Sequence, residues 1–244
     1  MLNLLVLLIH LASVLYLIVD ATAMIKIISN RQKGHFNAKV FQLRLNNISE
    51  VEMKINKGYI LVSYDVSSLF TNVPLDETIA ILTEKAFRDN WFNSTYNLNI
   101  SKEDLIDLLN VSSKGQLFQF NGALYKQTDG VAMGSPLGPL LAYVFMSSLE
   151  QKLELEGKLP DYYRRYVDDT LTIMPNITTA TNFLNTLNHA HPSVSFTMEI
   201  EKDGMLPFLG TQLLNSALQI ETKVYVKLTC HYQSDVDNRS INSA

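Results

Sequence analysis

The chain of 244 residues is 47% hydrophobic and 18% charged, so it holds enough apolar side chains for one sizeable domain or two small ones and extensive disorder is excluded. Its 20 basic and 24 acidic side chains give a net charge of −4, so the protein as a whole does not attract nucleic acid or an anionic membrane. Any phosphate binding must therefore be local. The single cysteine, Cys230, excludes a disulfide framework and a multi-cysteine zinc site.

Residues 1–28 form an apolar N-terminal segment. The stretch from Leu2 to Val19 is almost wholly apolar, and no Lys or Arg precedes Lys26. It is marginal for a membrane helix, which needs about 20 apolar residues, and it lacks the positive leader of a signal peptide. Four interpretations stay open: a membrane helix, a targeting signal, a buried helix, and a terminus that is foreign to the original domain.

Residues 29–57 are polar and basic-leaning, with apolar side chains interleaved, and are interpreted as a connecting region with some helix. A basic face here would suit a phosphate backbone, and a solvated helix face is the alternative.

From residue 58 the chain has clear local signals. Residues 59–65 are apolar and β-branched, which predicts a buried strand that ends on the carboxylate of Asp65. Pro74 opens an amphipathic helix, and Ser101 begins a capping box before a second one. The dipeptide Asn121-Gly122, between two short apolar runs, predicts a β-hairpin.

The second half continues with a Gly- and Pro-rich segment at residues 130–139 and a helix over residues 140–153. Two strand-like runs then flank Asp168-Asp169, which predicts a tight hairpin with both carboxylates at its tip. Asn176 caps a further helix, and strands follow at residues 193–201 and from residue 206. The order strand, helices, hairpin, helix, strand is the split β-α-β-β-α-β plan, an α+β antiparallel sheet with helices on one face.

This plan brings three carboxylates to one edge of the sheet. The end of the first strand and the tip of the hairpin meet there, so we expect Asp65, Asp168 and Asp169 to converge. Three carboxylates that close cannot all stay ionised without a cation, and oxygen ligands without His or Cys suit Mg²⁺ or Mn²⁺. Two such ions would support an in-line phosphoryl displacement, which implies nucleotidyl transfer. Taken singly, Asp168-Asp169 is typical of a polar turn, and only the combination favours a site.

Four segments occur in a fixed order: residues 61–74 around Asp65, residues 130–139, residues 165–170 around Asp168-Asp169, and residues 198–209. They resemble, in that order, the first catalytic motif, the template- and nucleotide-binding loop, the aromatic-x-Asp-Asp box and the last motif with the primer grip of the polymerase palm. The family is that of reverse transcriptases, and the resemblance is closest to the Penelope-like retroelements. It covers residues 58–225, which we interpret as the palm.

The resemblance implies roles for individual residues. Asp65 and Asp168 would be the main ligands of two Mg²⁺ or Mn²⁺ ions, with the Val66 carbonyl helping and Asp169 in support. Phe70 would exclude a 2′-hydroxyl and so select deoxynucleotides, and a core aromatic is the alternative.

Other residues would contact substrates. In the loop, Gly134, Ser135 and Pro136 would let the backbone approach the template and the incoming base. Lys202 is a candidate for protonating pyrophosphate, and an exposed turn lysine is an equally good interpretation. The primer 3′ end would be held by four residues: Leu206, Pro207, Phe208 and Leu209.

The leading hypothesis is an RNA-directed DNA polymerase that uses an RNA template, a DNA primer and dNTPs inside the cell, in the nucleus or cytoplasm. The family's fingers are only partial upstream of Asp65, and residues 226–244 leave the thumb largely missing, with no room for the GIY-YIG endonuclease domain of many such elements. Two alternatives stay open: a truncated remnant without activity, and a membrane-associated or secreted protein that uses the stretch from Leu2 to Val19.

Overall fold

The computed structural model describes residues 58–216 and 219–224. The helices are α1 (Leu69–Asn72), α2 (Leu75–Phe87), α3 (Trp91–Tyr96), α4 (Lys102–Ser113), α5 (Gly138–Leu155) and α6 (Ile177–Ala190), with a 3₁₀ turn at Arg88–Asn90. The strands are β1 (Ile60–Val66), β2 (Leu117–Phe120), β3 (Ala123–Lys126), β4 (Tyr163–Tyr166), β5 (Asp169–Met174), β6 (Phe196–Ile200), β7 (Met205–Phe208), β8 (Thr211–Ser216) and β9 (Gln219–Val224). The apolar segment, the connecting region and the C-terminal tail of the sequence analysis lie outside the described residues, and the domain limits stay predictions.

The central feature is a four-stranded sheet with the order β4-β5-β1-β6. All three strand pairs are antiparallel, and β1 lies between β5 of the hairpin and the last strand β6. This is the strand order of the split β-α-β-β-α-β plan, so the predicted α+β architecture is confirmed.

One face of the sheet packs against the helices. The alternation of β1 turns Val62, Tyr64 and Val66 toward this layer, where they join a core formed with side chains of α2, α5 and α6. The Tyr64 ring meets Phe183 edge-on at 5.3 Å, and its hydroxyl donates to the Ala180 carbonyl at 2.9 Å. The prediction of helices on one face is therefore confirmed, and the buried tyrosine fixes α6 on the sheet.

The opposite face is covered only in part, by a three-stranded sheet of order β7-β8-β9. Leu61 and Leu171 pack there against Leu206 in a second core. The Glu201 carboxylate strengthens this join, because it accepts hydrogen bonds from the Leu61 amide at 2.9 Å and from the Asn215 side chain at 2.8 Å. Among the described residues, nothing covers the rest of this face, toward the end of β1.

Several local signals act as expected. Ser101 and Asp104 form a complete capping box at the start of α4, and the Asn176 side chain caps α6. Asn121 and Gly122 both have positive φ, the geometry of the two-residue turn between β2 and β3. Helix α5 begins two residues earlier than predicted, at Gly138, with a proline in its first turn.

Within the described ranges, no helix combines the length and the apolar composition needed to cross a membrane.

Candidate active site

Two aspartates stand side by side at the end of the central strands. Asp65 on β1 is paired directly with Asp169 on β5 and, on its other side, with Thr197 on β6. Directly opposed residues in an antiparallel pair project to the same face of the sheet. Asp65 and Asp169 therefore both face the open side, away from the helices.

The turn between β4 and β5 differs by one residue from the prediction. Asp169 is the first residue of β5 and pairs with Tyr166, so the turn consists of Val167 and Asp168 rather than Asp168 and Asp169. Val167 takes a positive φ of 56°, which is uncommon for a β-branched side chain. The Asp-Asp dipeptide favours a turn over a strand, but the pairing that buries the five β5 residues after Asp169 prevails. The result is that Asp168 lies in the turn while Asp169 lies beside Asp65.

The pKa values of Asp65 and Asp169 are raised by burial and by nearby carboxylate charges. The pKa of Asp169 is raised to about 6, first by burial and then by the charges of Asp168 and Asp65. The pKa of Asp65 is also raised, by burial and then by the charge of Asp168, while a hydrogen bond from the Val66 amide opposes the rise. The charge of Asp168 thus disfavours the ionised forms of Asp65 and Asp169, and the charge of Asp65 adds to the effect on Asp169.

The chemistry of these donors fits a hard divalent cation. All three are carboxylates, two of them on the open face, and a cation relieves the charge repulsion that raises the pKa of Asp65 and Asp169. Val66 follows Asp65 at the end of β1 and donates its amide to the Asp168 carbonyl at 3.3 Å. Within residues 58–216 and 219–224, no three His, Cys, Asp or Glu side chains are gathered as tightly as a metal-ligand set.

A cleft of about 600 Å³ opens above these aspartates. The exposed sheet face, with Asp65 and Asp169, forms one side of the cleft. The turn from β7 to β8 forms the other side, with Pro207, Phe208 and Leu209. This turn curls sharply because Leu209 and Gly210 both have positive φ. Of the four residues predicted to hold a primer, three line the cleft with the aspartates, whereas Leu206 is fully buried in the second core beneath them.

Phe70 and the loop at residues 130–139 form one packed unit. The Val131 amide donates to the Phe70 carbonyl at 2.7 Å. Gly130 lies so close to α1 that an added Cβ would be 2.3 Å from the Thr71 carbonyl oxygen. The Phe70 ring is half-buried against the helical core and lies beside Gly138. The loop is thus fixed on the helix that follows Asp65.

The three loop residues expected to contact the template lie at the surface of this unit. Gly134 has a φ of 91°, an added Cβ there would meet no atom of the described residues within 4 Å, and Pro136 is exposed. The Ser135 amide donates to the Ala132 carbonyl at 3.0 Å, and its hydroxyl accepts from the Leu137 amide at 3.3 Å. Their backbone is therefore ordered and accessible, and their contacts with template stay predictions.

Lys202 is not brought to the aspartates. It lies in the exposed turn from β6 to β7, whose ends are bridged between Lys202 and Met205. Thr197, the partner of Asp65, lies at the other end of β6, roughly 16 Å away at about 3.3 Å per residue. A lysine side chain does not span that distance, so the structure places Lys202 in the exposed turn, and a role with pyrophosphate stays a prediction.

Sequence reasoning missed the polar residues on the sheet side of the cleft. Ser63, Thr197 and Glu199 line the cleft, and Ser63 is paired with Glu199 across β1 and β6. The signal was present, because residues two apart along a strand share a face with Asp65. The neighbour of β1 and its register had to be known before that signal could be used.

Comparisons with known proteins agree with this geometry. Residues 14–213 match the family model described as reverse transcriptase (RNA-dependent DNA polymerase), a match that begins within the apolar N-terminal segment. Telomerase reverse transcriptase of Mus musculus is 28% identical over 106 residues, and that of Rattus norvegicus is 32% identical over 84 residues. These alignments cover 43% and 34% of the chain but only 9% and 8% of the two relatives, so the chain spans under a tenth of their length.

Solved structures support the fold. The structure of apo telomerase from Candida tropicalis, truncated from its C-terminal domain, superposes with a TM-score of 0.59 at 15% identity, over 88% of this chain and 45% of that one. Telomerase from Candida albicans, in complex with a fragment of telomeric RNA, gives a TM-score of 0.59 at 12% identity, over 91% and 39% of the two chains. With a family match that spans most of its length and the palm-like sheet described above, the chain belongs to the reverse transcriptase family.

Proposed function

We propose that this chain catalyses the template-directed addition of deoxynucleotides to the 3′ end of a primer, with RNA as template. The observation that carries the proposal is the pairing of Asp65 with Asp169 on the open face of the sheet, next to the turn that bears Asp168. The cleft above them is bounded by the turn from β7 to β8. A primer end held by that turn would lie over the carboxylates.

The carboxylates would hold two Mg²⁺ ions, or Mn²⁺ in their place, through Asp65, Asp168 and the carbonyl of Val66, with Asp169 in support. When bound, the ions supply positive charge to the attacking and leaving oxygens of the nucleotidyl transfer.

The remaining roles follow from position. Phe70 lies on the helix directly after Asp65 and is fixed by the loop, a position from which its ring would limit the sugar to deoxyribose. The accessible backbone of Gly134, Ser135 and Pro136 would receive the template base. Pro207, Phe208 and Leu209 would hold the primer, and Leu206 would anchor that strand in the second core.

Primer extension on an RNA template with dNTPs and Mg²⁺ tests the proposal. The Asp168→Asn variant should abolish incorporation while its circular dichroism spectrum stays that of the wild type. The matched control is Asp107→Asn, which alters an exposed carboxylate on α4 and should leave incorporation unchanged. Incorporation that persists in Asp168→Asn would refute the assignment.

A catalytically impaired remnant is distinguished by binding. A wild-type protein that retains an RNA–DNA hybrid on a filter, with a steep loss of affinity as salt rises, but never extends a primer, would be a nucleic-acid-binding remnant. Extension together with binding supports the polymerase.

We further propose that the chain derives from a Penelope-like retroelement and acts in the nucleus or cytoplasm, where template and dNTPs are found. The support is the set of four palm motifs in residues 61–209. Flanking genomic DNA that encodes a GIY-YIG endonuclease, in dispersed copies, would bear this out, whereas a single-copy telomerase gene would contradict it. A fluorescent fusion at internal membranes would contradict the proposed location.

A further inference from the structure

A side chain on the helix-facing side of the sheet holds the turn that carries Asp168. Arg165, on β4, faces the helices with its side chain only 7% exposed. Its guanidinium forms a two-point ion pair with Glu150 of α5, Nε with Oε1 and Nη2 with Oε2, the latter at 2.9 Å. Its remaining amino group, Nη1, donates to the backbone carbonyl of Val167 at 2.8 Å. One side chain thus joins α5 to the turn.

The carbonyl it holds belongs to the strained residue of that turn. Val167 has a φ of 56°, and the left-handed region costs a residue with a Cβ about 1–2 kcal/mol. The orientation of the peptide between Val167 and Asp168 determines where the Asp168 side chain projects. The next carbonyl, that of Asp168, accepts from the Val66 amide at 3.3 Å. The turn is therefore held at two successive carbonyls. Arg165 holds that of Val167, and the Val66 amide holds that of Asp168.

Two tyrosine side chains restrain the ion pair. The Tyr163 hydroxyl donates to Glu150 Oε1 at 2.9 Å, and the Arg165 guanidinium lies 5.7 Å from the centre of the Tyr143 ring. A buried ion pair is weak evidence for stability, since well-packed apolar residues serve that purpose as well. A guanidinium, however, offers a planar fork to a carboxylate and a further donor to a third group at the same time.

We infer that Arg165, held by Glu150, is a positioning residue that keeps the Val167–Asp168 turn in the shape that holds Asp168 near the paired Asp65 and Asp169. It acts through the turn and lies on the face of the sheet away from the cleft. The inference rests on the proposed function, in which Asp168 is a metal ligand.

The Arg165→Lys variant separates positioning from charge. Lysine keeps the positive charge next to Glu150 but, with a single nitrogen, cannot hold the carboxylate in two places and the Val167 carbonyl as well. We expect kcat for primer extension to fall at least tenfold with KM for dNTP little changed, and the Mg²⁺ concentration for half-maximal activity to rise several-fold. Arg88→Lys, at an exposed arginine after α2, is the matched control and should change neither quantity.

A binding measurement keeps this test independent of activity. Mn²⁺ binding, followed by electron paramagnetic resonance, should be several-fold weaker in Arg165→Lys than in the wild type. Wild-type protein that neither binds Mn²⁺ nor extends a primer refutes the proposed function itself. Active wild type with a folded Arg165→Lys that matches it in kcat, Mg²⁺ requirement and Mn²⁺ affinity refutes only the positioning role.

A second variant covers the case in which Arg165→Lys does not fold. Glu150→Gln keeps the shape of the side chain and one acceptor for the guanidinium, and it should show the same pattern in milder form. Failure of both variants to fold would identify the pair as purely structural and would overturn the inference.

Discussion

Replacement of Asp169 by asparagine should stabilise the protein at neutral pH in the absence of divalent ions. The pKa of Asp169 rises from 3.8 to about 6 on folding because of burial and the charges of Asp168 and Asp65. A carboxyl whose pKa is raised in the folded state binds more protons there than in the unfolded state. The free energy of unfolding therefore falls as pH rises from about 4 to about 6.

The size of the effect follows from that shift. One pKa unit corresponds to about 1.36 kcal/mol, which gives about 3 kcal/mol as an upper value. Solvent reaches this half-buried group and screens its neighbours, so about 1–2 kcal/mol is expected. Asp169→Asn removes the charge without changing the shape, and the gain should be fully present at pH 7.5 and about 0.5 kcal/mol or less at pH 4, where the unfolded-state carboxyl is only about half ionised.

Urea unfolding followed by circular dichroism, in EDTA at both pH values, measures the gain directly. Asp107→Asn, at an exposed position on α4, serves as the control and should change the free energy of unfolding little at either pH. The reasoning fails if Asp169→Asn gives no gain at pH 7.5, or the same gain at pH 4.

Three further outcomes are expected. Mg²⁺ at about ten times its dissociation constant should stabilise the wild type by about 1.4 kcal/mol, and a thermal shift assay should find this gain lost in Asp168→Asn. Gly130→Ala should lower the free energy of unfolding by at least about 2 kcal/mol more than Gly122→Ala, because only the former places a methyl group 2.3 Å from the Thr71 carbonyl while both share a positive φ; equal losses would contradict the crowding. Ser101→Ala should cost about 1 kcal/mol in urea unfolding through loss of the capping box of α4, and an unchanged midpoint would contradict that role.

The parts of the fold that were predictable rest on local chemistry. The caps at Ser101 and Asn176 and the turn at Asn121-Gly122 depend on side chains within a few residues of one another, and each is found where expected. The strand order followed because few topologies can place a split β-α-β-β-α-β pattern in one sheet.

The placements that differ from the sequence-based expectation depend on strand register and direction. The Asp168-Asp169 dipeptide favours a turn at both positions, and only pairing with Tyr166 and Asp65 decides that Asp169 belongs to the strand. Lys202 lies near the cleft-lining residues in sequence, but β6 carries the chain away from the aspartates before it reaches this lysine. Neither the pairing of Asp169 nor the direction of β6 can be predicted from the local sequence alone.

Consecutive residues of β1 face opposite sides of the sheet. The Tyr64 side chain holds α6 on one side, and Asp65 faces the cleft on the other. Loss or gain of one residue within this strand would exchange the two sets, sending the tyrosine into solvent and the carboxylate into the apolar interior. A substitution in β1 therefore affects only the face on which its side chain lies, and evolution can replace these residues one at a time. A change in the length of the strand would affect both faces at once.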